Sequence, residues 1–285
     1  MRRIARLTVS VMMAHFAIGT MMSSAETSSS KPVQLERAWV VTGLTEPEGV
    51  AFDAGGLFIS NMVGSDASQK DGEGWISRVS LEGELLEEKW IDGMHAPKGM
   101  AVLDGKLFVS DVDAFHVVDI ETAEIEQTHA IEGAIFLNDI TVWKDKVYLS
   151  DSRTARIFEI DATGYREWMS DPRLTGVNGL TAIGDRLLIA AMENGDLYET
   201  RDGKTLTVLA TGMVKNDGIA VLDDGSYLVS SWPGQIWHAS AEGEVTLLAD
   251  TEHQPMSQND LTRVGDLIII PSKVPGIVTA WRVAG

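Results

Sequence analysis

Six polar residues recur along the chain at similar intervals, and each opens a short apolar segment. They are Glu48, Lys98, Asn138, Asn178, Asp217 and Asn259, spaced by 50, 40, 40, 39 and 42 residues. If the repeats formed a ring, these side chains would converge on its axis. Turn chemistry accounts for part of the set, because Asn-Gly, Asp-Gly and Asn-Asp favour turns. It does not account for Glu48 or Lys98.

The side-chain oxygens of this set suit a hard cation. Calcium takes about six to eight oxygen ligands from carboxylates, amide carbonyls and water. Glu48 and Asp217 would offset its charge, Asn138 and Asn178 would add neutral oxygens, and open positions would remain for water and substrate. The expected ion is calcium, with manganese, magnesium or zinc as alternatives. Zinc is disfavoured because no nitrogen or sulfur ligands cluster with these residues.

Lys98 leaves two interpretations open. Its ammonium group could orient an anionic substrate or stabilise a developing oxyanion, which would make Lys98 a catalytic or substrate-binding residue. It could instead occupy the cation site itself, paired with Glu48 and Asp217, and leave no metal.

The segments that carry these residues predict a repeated β-unit. In every copy the third residue is a large aliphatic residue or Met and the fourth is Ala or Thr, an alternation typical of a strand. A turn such as Asp104-Gly105 follows, then a second strand, a third and, in five copies, a fourth. These elements predict an all-β fold over residues 35–285, a six-bladed β-propeller with four antiparallel strands per blade. The rival is an open β-solenoid, whose repeats are usually shorter.

The last repeat lacks a fourth strand of its own. A strand-like stretch at Leu35–Thr42 precedes the first repeat and has no other assignment. We expect it to complete the last blade, because this pairing would close the ring and protect exposed strand edges.

Four short motifs carry a resemblance to a known family. They are Pro47-Glu48-Gly49-Val50, Leu137-Asn138-Asp139-Ile140, Val177-Asn178-Gly179-Leu180 and Asn216-Asp217-Gly218-Ile219. They resemble the senescence-marker-protein/gluconolactonase family of six-bladed propellers, with its paraoxonase and diisopropylfluorophosphatase relatives. In those proteins a divalent ion on the axis is held by a Glu of the first blade, Asn residues of the third and fourth, and an Asp of the fifth. The resemblance implies that Glu48, Asn138, Asn178 and Asp217 hold the metal.

The same resemblance implies hydrolysis of a lactone or related ester. The metal would polarise the carbonyl group, and either Asp217 or water on the metal would act as base or nucleophile. Two positions depart from the family pattern. Sugar-lactone members carry an Arg where this chain has Phe136, which disfavours a gluconolactone-type substrate. Paraoxonases carry a His at the position of Lys98.

Further substrate-binding candidates lie around the predicted mouth of the channel. Asn259 completes the ring of polar residues, and Phe136 lies two residues before Asn138. Trp232 follows the second strand of the fifth repeat and could either line the pocket or pack between blades. The long segment from Asn61 to Gly74 is rich in Gly, Ser and Asp, which favours a mobile flap over the mouth.

The first 25 residues read as a secretory signal peptide, with residues 26–34 as a flexible segment. Arg2, Arg3 and Arg6 precede an apolar run, and Ser23-Ser24-Ala25 offers a cleavage point. A membrane anchor is the alternative. The expected location is therefore periplasmic or secreted. After the signal, no apolar stretch approaches the roughly 20 residues needed to span a bilayer, so no membrane association is expected.

Composition excludes several classes of function. Removal of residues 1–25 would take away three Arg and no acid, and the net charge would change from −19 to −22. This charge argues against nucleic acid as a partner. The absence of Cys excludes disulfides and thiolate sites. No Gly-x-Ser-x-Gly, His-Glu-x-x-His or phosphate-loop motif is present. A monomer that acts on a small molecule is expected.

Three functions remain in competition. The first is a metal-dependent hydrolase of lactones or esters, based on the Glu, Asn, Asn, Asp set. The second is a non-catalytic ligand- or protein-binding propeller, since one fold hosts many functions. The third is a metal-dependent lyase or isomerase that uses the same ion.

Overall fold

The computed structural model describes residues 33–64, 66–254 and 256–284. Within these residues, twenty-four strands form six antiparallel sheets of four strands each. The chain is thus a six-bladed β-propeller, as predicted. The expected signal peptide, residues 1–25, lies outside the described residues, as does most of the segment 26–34. No helix in the described part of the chain is long and apolar enough to cross a membrane.

The first five blades are each built from consecutive strands, counted from the axis outward. Blade one comprises β2 (Pro47–Asp53), β3 (Gly56–Asn61), β4 (Gly74–Val79) and β5 (Leu85–Met94). Blade two comprises β6 (Pro97–Leu103), β7 (Lys106–Asp111), β8 (Ala114–Asp119) and β9 (Glu124–Ala130). Blade three comprises β10 (Leu137–Trp143), β11 (Lys146–Asp151), β12 (Arg156–Asp161) and β13 (Gly164–Ser170). Blade four comprises β14 (Val177–Ile183), β15 (Arg186–Ala191), β16 (Asp196–Thr200) and β17 (Thr207–Ala210). Blade five comprises β18 (Asn216–Val221), β19 (Tyr227–Ser231), β20 (Gln235–Ala239) and β21 (Val245–Asp250). A short 3-10 helix at Pro172–Leu174 joins blades three and four.

Blade six is closed by the N-terminal strand. Its first three strands, counted from the axis outward, are β22 (Thr262–Val264), β23 (Leu267–Ser272) and β24 (Ile277–Ala284). The fourth strand is β1 (Gln34–Thr42), which pairs antiparallel with β24. The predicted closure is confirmed. Trp39 of β1 also donates a hydrogen bond to the carbonyl of Leu81 in blade one, 3.0 Å away. Closure therefore joins blade six to blade one as well as completing its sheet.

The core lies between blades. One cluster packs Phe108 and Phe115 of blade two against Leu149 and Phe158 of blade three, and all four side chains are nearly inaccessible to solvent. Comparable clusters join the other neighbouring blades. Because burial of such side chains is the main favourable term in folding, the ring is stabilised by contacts that each blade makes with its neighbours. This packing fixes the inner strands relative to one another.

Candidate functional site

The first residues of the inner strands lie in β-bulges. In blade three, Leu137 pairs with Asp151 and Ile140 pairs with Leu149, and the register shifts between these two pairs. The same shift occurs at the start of the inner strand in blades one, two, four and five. A bulge re-aims the side chains that it contains. In blades one to five, the ring residues are therefore released from the alternation of the sheet where the inner strand begins at the mouth.

All six predicted ring residues are buried. Their side chains come from six different blades, and their charged members act on one another electrostatically, as Glu48 does with Asp217 and Lys98. The set comprises Glu48, Lys98, Asn138, Asn178, Asp217 and Asn259. The structure thus brings together the residues that the repeat predicted. Buried polar groups in this number need hydrogen bonds or a ligand to offset their desolvation.

Blade six departs from the prediction at its ring residue. Asn259 lies three residues before the short strand β22 rather than at its start. The backbone N–H of Asn259 donates to the carbonyl of Pro271 in β23, at 3.1 Å. Pro271 has no N–H with which to return a hydrogen bond, so the regular ladder does not extend to this point. Asn259 keeps its buried place, and its Oδ1 accepts a long hydrogen bond from the backbone of Lys273 at 3.4 Å.

A second acidic pair lies directly beside the ring, and sequence reasoning missed it. Asp139 and Asp260 are buried, and Asp139 accepts hydrogen bonds from the backbone N–H groups of Ile140 at 2.7 Å and Leu180 at 2.6 Å. The signal was present in the sequence, because the residue after the ring position is Gly in four repeats and Asp in two. Turn chemistry also explains an Asn-Asp pair, so the sequence alone does not place these aspartates next to the axis.

The glycines of the other four repeats allow neighbouring inner strands to approach closely. A Cβ atom on Gly179 would lie 2.1 Å from the carbonyl oxygen of Asp217, and one on Gly49 would lie 2.5 Å from that of Lys98. Only a residue without a side chain fits such an approach. These glycines therefore set the spacing of the ring and leave the room that Asp139 and Asp260 occupy.

Serine hydroxyls stabilise the bulges and connect neighbouring blades. Ser60 accepts a hydrogen bond from the backbone N–H of Gly49 at 2.8 Å, and Ser150 accepts one from that of Asp139 at 2.9 Å. The hydroxyl of Ser150 also donates to the carbonyl of Asn178 in the next blade, at 2.9 Å. In blades one and three the bulge thus keeps a hydrogen-bond partner, and Ser150 also ties the ring position of blade three to that of blade four.

Two buried aspartates position the loops that enter the ring. Asp151 accepts hydrogen bonds from the backbone N–H groups of Ile135 at 3.1 Å and Phe136 at 3.0 Å. Asp111 does the same for His95 at 2.8 Å and Ala96 at 2.7 Å. Each carboxylate ends a second strand and fixes the loop just before Asn138 or Lys98. These residues act on the site by positioning the backbone.

The arrangement of free oxygens fits a hard cation. Asn138 uses its Nδ2 to donate to Ser152 Oγ at 3.1 Å, which leaves its Oδ1 available. Within the described residues, the side-chain oxygens of Glu48, Asn178 and Asp217 make no hydrogen bond, and none of them is fully inaccessible to solvent. In the same part of the chain, no three His, Asp or Glu side chains are grouped closely enough to hold a metal by themselves. A site here would therefore depend on the carboxamide oxygens as well.

Burial opposes ionisation of the axial acids. It raises the pKa of Asp217 to about 7, with a smaller contribution from Asp139, and it raises the pKa of Asp139 itself to about 7. Burial, followed by the charge of Asp217 for Glu48 and of Asp139 for Asp260, holds the pKa values of these two carboxyls well above their usual range. Four acids around one axis repel one another, and a bound cation would relieve that repulsion.

Lys98 does not form an ion pair with Glu48 or Asp217 in the described structure. Its Nζ donates to the carbonyl of Ala96 at 2.9 Å and lies 4.5 Å from the centre of the Phe136 ring. Burial lowers the pKa of Lys98 to about 8, although the charges of Glu48 and Asp111 oppose this shift. The ammonium group of Lys98 is therefore directed to the carbonyl of Ala96 and lies against the ring of Phe136, rather than between the carboxylates of Glu48 and Asp217.

The remaining predicted residues lie near the mouth. Trp232 follows β19 in a turn and is 37% exposed. Phe136 is half-buried next to Asn138. In the flap segment, Lys70 forms an ion pair with Asp113 of the neighbouring blade. Arg153 was not predicted, and its guanidinium lies 4.9 Å from the centre of the Phe136 ring.

A cavity of about 680 Å³ runs along the axis below the ring. It begins at Asp139 and Asp260 and reaches Arg263 and Gly265 at the far ends of the inner strands. Its walls carry both residues of the repeated alternation, large ones such as Met100 and small ones such as Ala101. The ring residues therefore separate this channel from the mouth.

Comparison with known proteins supports the fold. No protein-family model and no curated protein matches the chain. Among solved structures, a gluconolactonase from Xanthomonas campestris superposes with a TM-score of 0.64 at 16% identity, over 88% of this chain and 90% of that one. A catalytically inactive virginiamycin B lyase from Staphylococcus aureus, with quinupristin, gives a TM-score of 0.62 at 14% identity, over 88% of this chain and 100% of that one.

A third structure, of a streptogramin B lyase, gives a TM-score of 0.61 at 12% identity, over 88% of this chain and 98% of that one. The protein is thus a six-bladed β-propeller of the kind found in gluconolactonases and streptogramin B lyases. The expected resemblance to gluconolactonase-like propellers is confirmed at the level of fold.

Proposed function

We propose that this protein is an exported, divalent-metal-dependent hydrolase of a lactone or related ester, with calcium as the expected ion. The observation that supports the proposal is the convergence of Glu48, Asn138, Asn178 and Asp217. They come from four blades, they are buried, and their oxygens include ones that no described residue engages. Carboxylate and carboxamide oxygens together are the donors that calcium prefers.

The bound ion would supply Lewis acidity, which polarises the substrate carbonyl. Asp217 is a buried carboxylate at the axis that would accept a proton from the attacking water. Water adds to the acyl carbon, the acyl C–O bond breaks, and a carboxylic acid and an alcohol result. Lys98 is a buried cation whose charge acts on Glu48, and it can oppose negative charge on the substrate.

The test is a hydrolysis screen on the metal-free protein, with and without added calcium, manganese or magnesium. We expect turnover of at least one lactone or aryl ester that depends on the added ion. Glu48→Gln and Asp217→Asn should lower kcat/KM by about a hundredfold or more, as expected when a ligand or base is lost. Glu87→Gln, on the exposed outer strand β5, is the matched control and should retain activity. Full activity in both axial variants would rule the proposal out.

The same constellation could serve a metal-dependent lyase, and the structural similarity to streptogramin B lyases keeps this alternative in view. A buried carboxyl such as that of Asp217 could abstract a proton from carbon as well as from water. Reaction in water labelled with oxygen-18 separates the two. Label in the acid product indicates hydrolysis, whereas an unsaturated product without label indicates a lyase. A lack of any metal-dependent turnover would favour a binding propeller.

A further inference from the structure

The aromatic ring of Phe136 carries two basic side chains at the mouth of the propeller. Lys98 Nζ lies 4.5 Å from the ring centre, and the Arg153 guanidinium carbon lies 4.9 Å from it. We call these three residues the Phe136 shelf. Lys98 comes from blade two, whereas Phe136 and Arg153 come from the loops of blade three on either side of Asp151. Both cations thus lie against one aromatic ring, and the charge of Arg153 acts on Lys98.

The shelf is held in place by a buried carboxylate. Asp151 accepts hydrogen bonds from the backbone N–H of Phe136 at 3.0 Å and from that of Arg153 at 3.3 Å. The same aspartate therefore fixes the ring and the turn that carries the guanidinium. Asp111 fixes the loop that precedes Lys98 in the same manner. The shelf is a built feature of the mouth, because its backbone supports are themselves buried and hydrogen-bonded.

Both cations have unused capacity to bind an anion. Lys98 is 1% exposed and donates to the carbonyl of Ala96, which leaves two of its three N–H groups free of hydrogen bonds within the described residues. Over the same part of the chain, the Arg153 side chain has no hydrogen bond or ion pair, in a protein of net charge −19. A third nearby cation, Lys273, differs because it lies 3.3 Å from Glu46.

We propose that the Phe136 shelf binds a carboxylate group of the substrate, so that the enzyme acts on an ester or lactone that carries a negative charge. The substrate class rests on the proposed hydrolase function, since the shelf adjoins Asn138 of the axial set. A guanidinium and an ammonium together match a carboxylate through charge-assisted hydrogen bonds. The aromatic ring of Phe136 would then contact the apolar part of the ligand.

Direct binding tests the shelf without reference to catalysis. The full protein, with calcium, is titrated with phenylacetate and with its neutral counterpart phenylacetamide. We expect phenylacetate to bind about tenfold more tightly, as one hydrogen bond between charged groups provides. In Lys98→Met the preference should vanish, and in Arg153→Gln it should fall about threefold. Lys146→Gln removes the same charge at the opposite end of β11 and should leave the preference unchanged.

Equal binding of the two compounds, no binding of phenylacetate, or a preserved preference in Lys98→Met would overturn the shelf proposal. Lys98→Met is expected to fold, because replacing a buried charge with an apolar side chain of similar length is often neutral or stabilising.

Kinetics separate this proposal from the hydrolase proposal. Mono(4-nitrophenyl) adipate and its neutral methyl ester share one scissile bond and differ in a single charge. Calcium-dependent hydrolysis that favours the charged ester about tenfold supports both proposals. Equal hydrolysis of both esters would overturn the proposal that the Phe136 shelf binds a carboxylate, and it would leave the hydrolase proposal standing. If neither ester is hydrolysed but phenylacetate still binds in a way that depends on Lys98, the hydrolase proposal is overturned for these esters. The proposed anion site would then stand.

Discussion

Four carboxyl groups meet around the axis where burial disfavours their charge. Glu48 and Asp217 belong to the predicted ring, and Asp139 and Asp260 form the acidic pair beside it. Their pKa values are all raised, chiefly by burial. A protein that retains such a cluster loses stability whenever the groups ionise without a counter-charge. The cluster therefore supports the proposed cation site, because a bound cation would supply the counter-charge that these acids lack.

This electrostatic arrangement predicts an unusual pH dependence for the metal-free protein. An acid whose pKa is about 7 when folded and about 4 when unfolded binds more protons in the folded state between those values. Stability should therefore fall as pH rises from about 4 to about 7, and saturating calcium should reduce the fall. Thermal melts in chelator from acid to neutral pH, with and without calcium, measure the effect.

Asp139→Asn isolates one of the acids. The amide cannot ionise, and its oxygen can still accept from the N–H of Leu180, so the melting temperature of this variant should depend less on pH. Asp104→Asn removes an acid from an exposed turn at φ +51°, which Asn tolerates as Asp does, and is the control. A metal-free protein whose stability rises toward neutral pH would contradict the electrostatic account.

At the scale of the strand, the bulge and the glycine after it place the ring residues. In blades one to five the bulge frees the ring residue from the sheet, and in four repeats the glycine after the ring residue lets the next blade approach. These two features explain why polar residues can open apolar strands at regular intervals. They also make the inner strand sensitive to small additions of volume.

Gly179→Ala should destabilise the fold. The added Cβ would meet the carbonyl oxygen of Asp217 at 2.1 Å, and backbone on both sides would have to move. Overpacking of this kind costs about 1–3 kcal/mol, occasionally more. Gly55→Ala is the control, because its Cβ would contact the flexible end of Arg78 at 3.0 Å. Urea unfolding measures both variants, and equal free energies of unfolding would refute the close-approach argument.

The sequence predicted the elements well because the repeat has two independent signals. The alternation of bulky and small residues predicted the inner strands, and the turn residues predicted the hairpins, both of which depend on local chemistry. The environment of Asp139 depends on a hydrogen bond from Leu180 of the next blade, and that of Arg153 on the ring of Phe136, which the fold brings close; neither contact follows from local sequence. The exact start of β22 was missed since it depends on Pro271 in the neighbouring strand.

At the scale of the whole molecule, the N-terminal strand closes the ring. β1 adds the last strand of blade six and packs Val41 against Val50 and Leu57 of blade one. Closure removes two free edges and fixes blade one against blade six. Since the proposed metal ligands come from blades one, three, four and five, the geometry of the site depends on a closed ring.

Two neighbouring valines on β1 test this closure. Val41 is 4% exposed and Val40 is 42% exposed. Val41→Ala removes buried methyl groups between blades six and one and should lower the free energy of unfolding by about 2 kcal/mol. Val40→Ala should change it by less than about 0.5 kcal/mol. Denaturant unfolding gives both values, and a cost for Val40→Ala equal to that for Val41→Ala would argue against the role of β1 in closure.

The central claim is the axial cation site, and thermal stability under calcium titration tests it most directly. The protein is stripped with chelator and its melting temperature is followed as calcium is added. At a hundredfold excess over the dissociation constant, binding to the folded state contributes about 2.7 kcal/mol, which should raise the midpoint by roughly 5–10 °C. Glu48→Gln should abolish the saturable rise, and Glu87→Gln should preserve it. No rise with calcium, manganese, magnesium or zinc, or an undiminished rise in Glu48→Gln, would contradict the account.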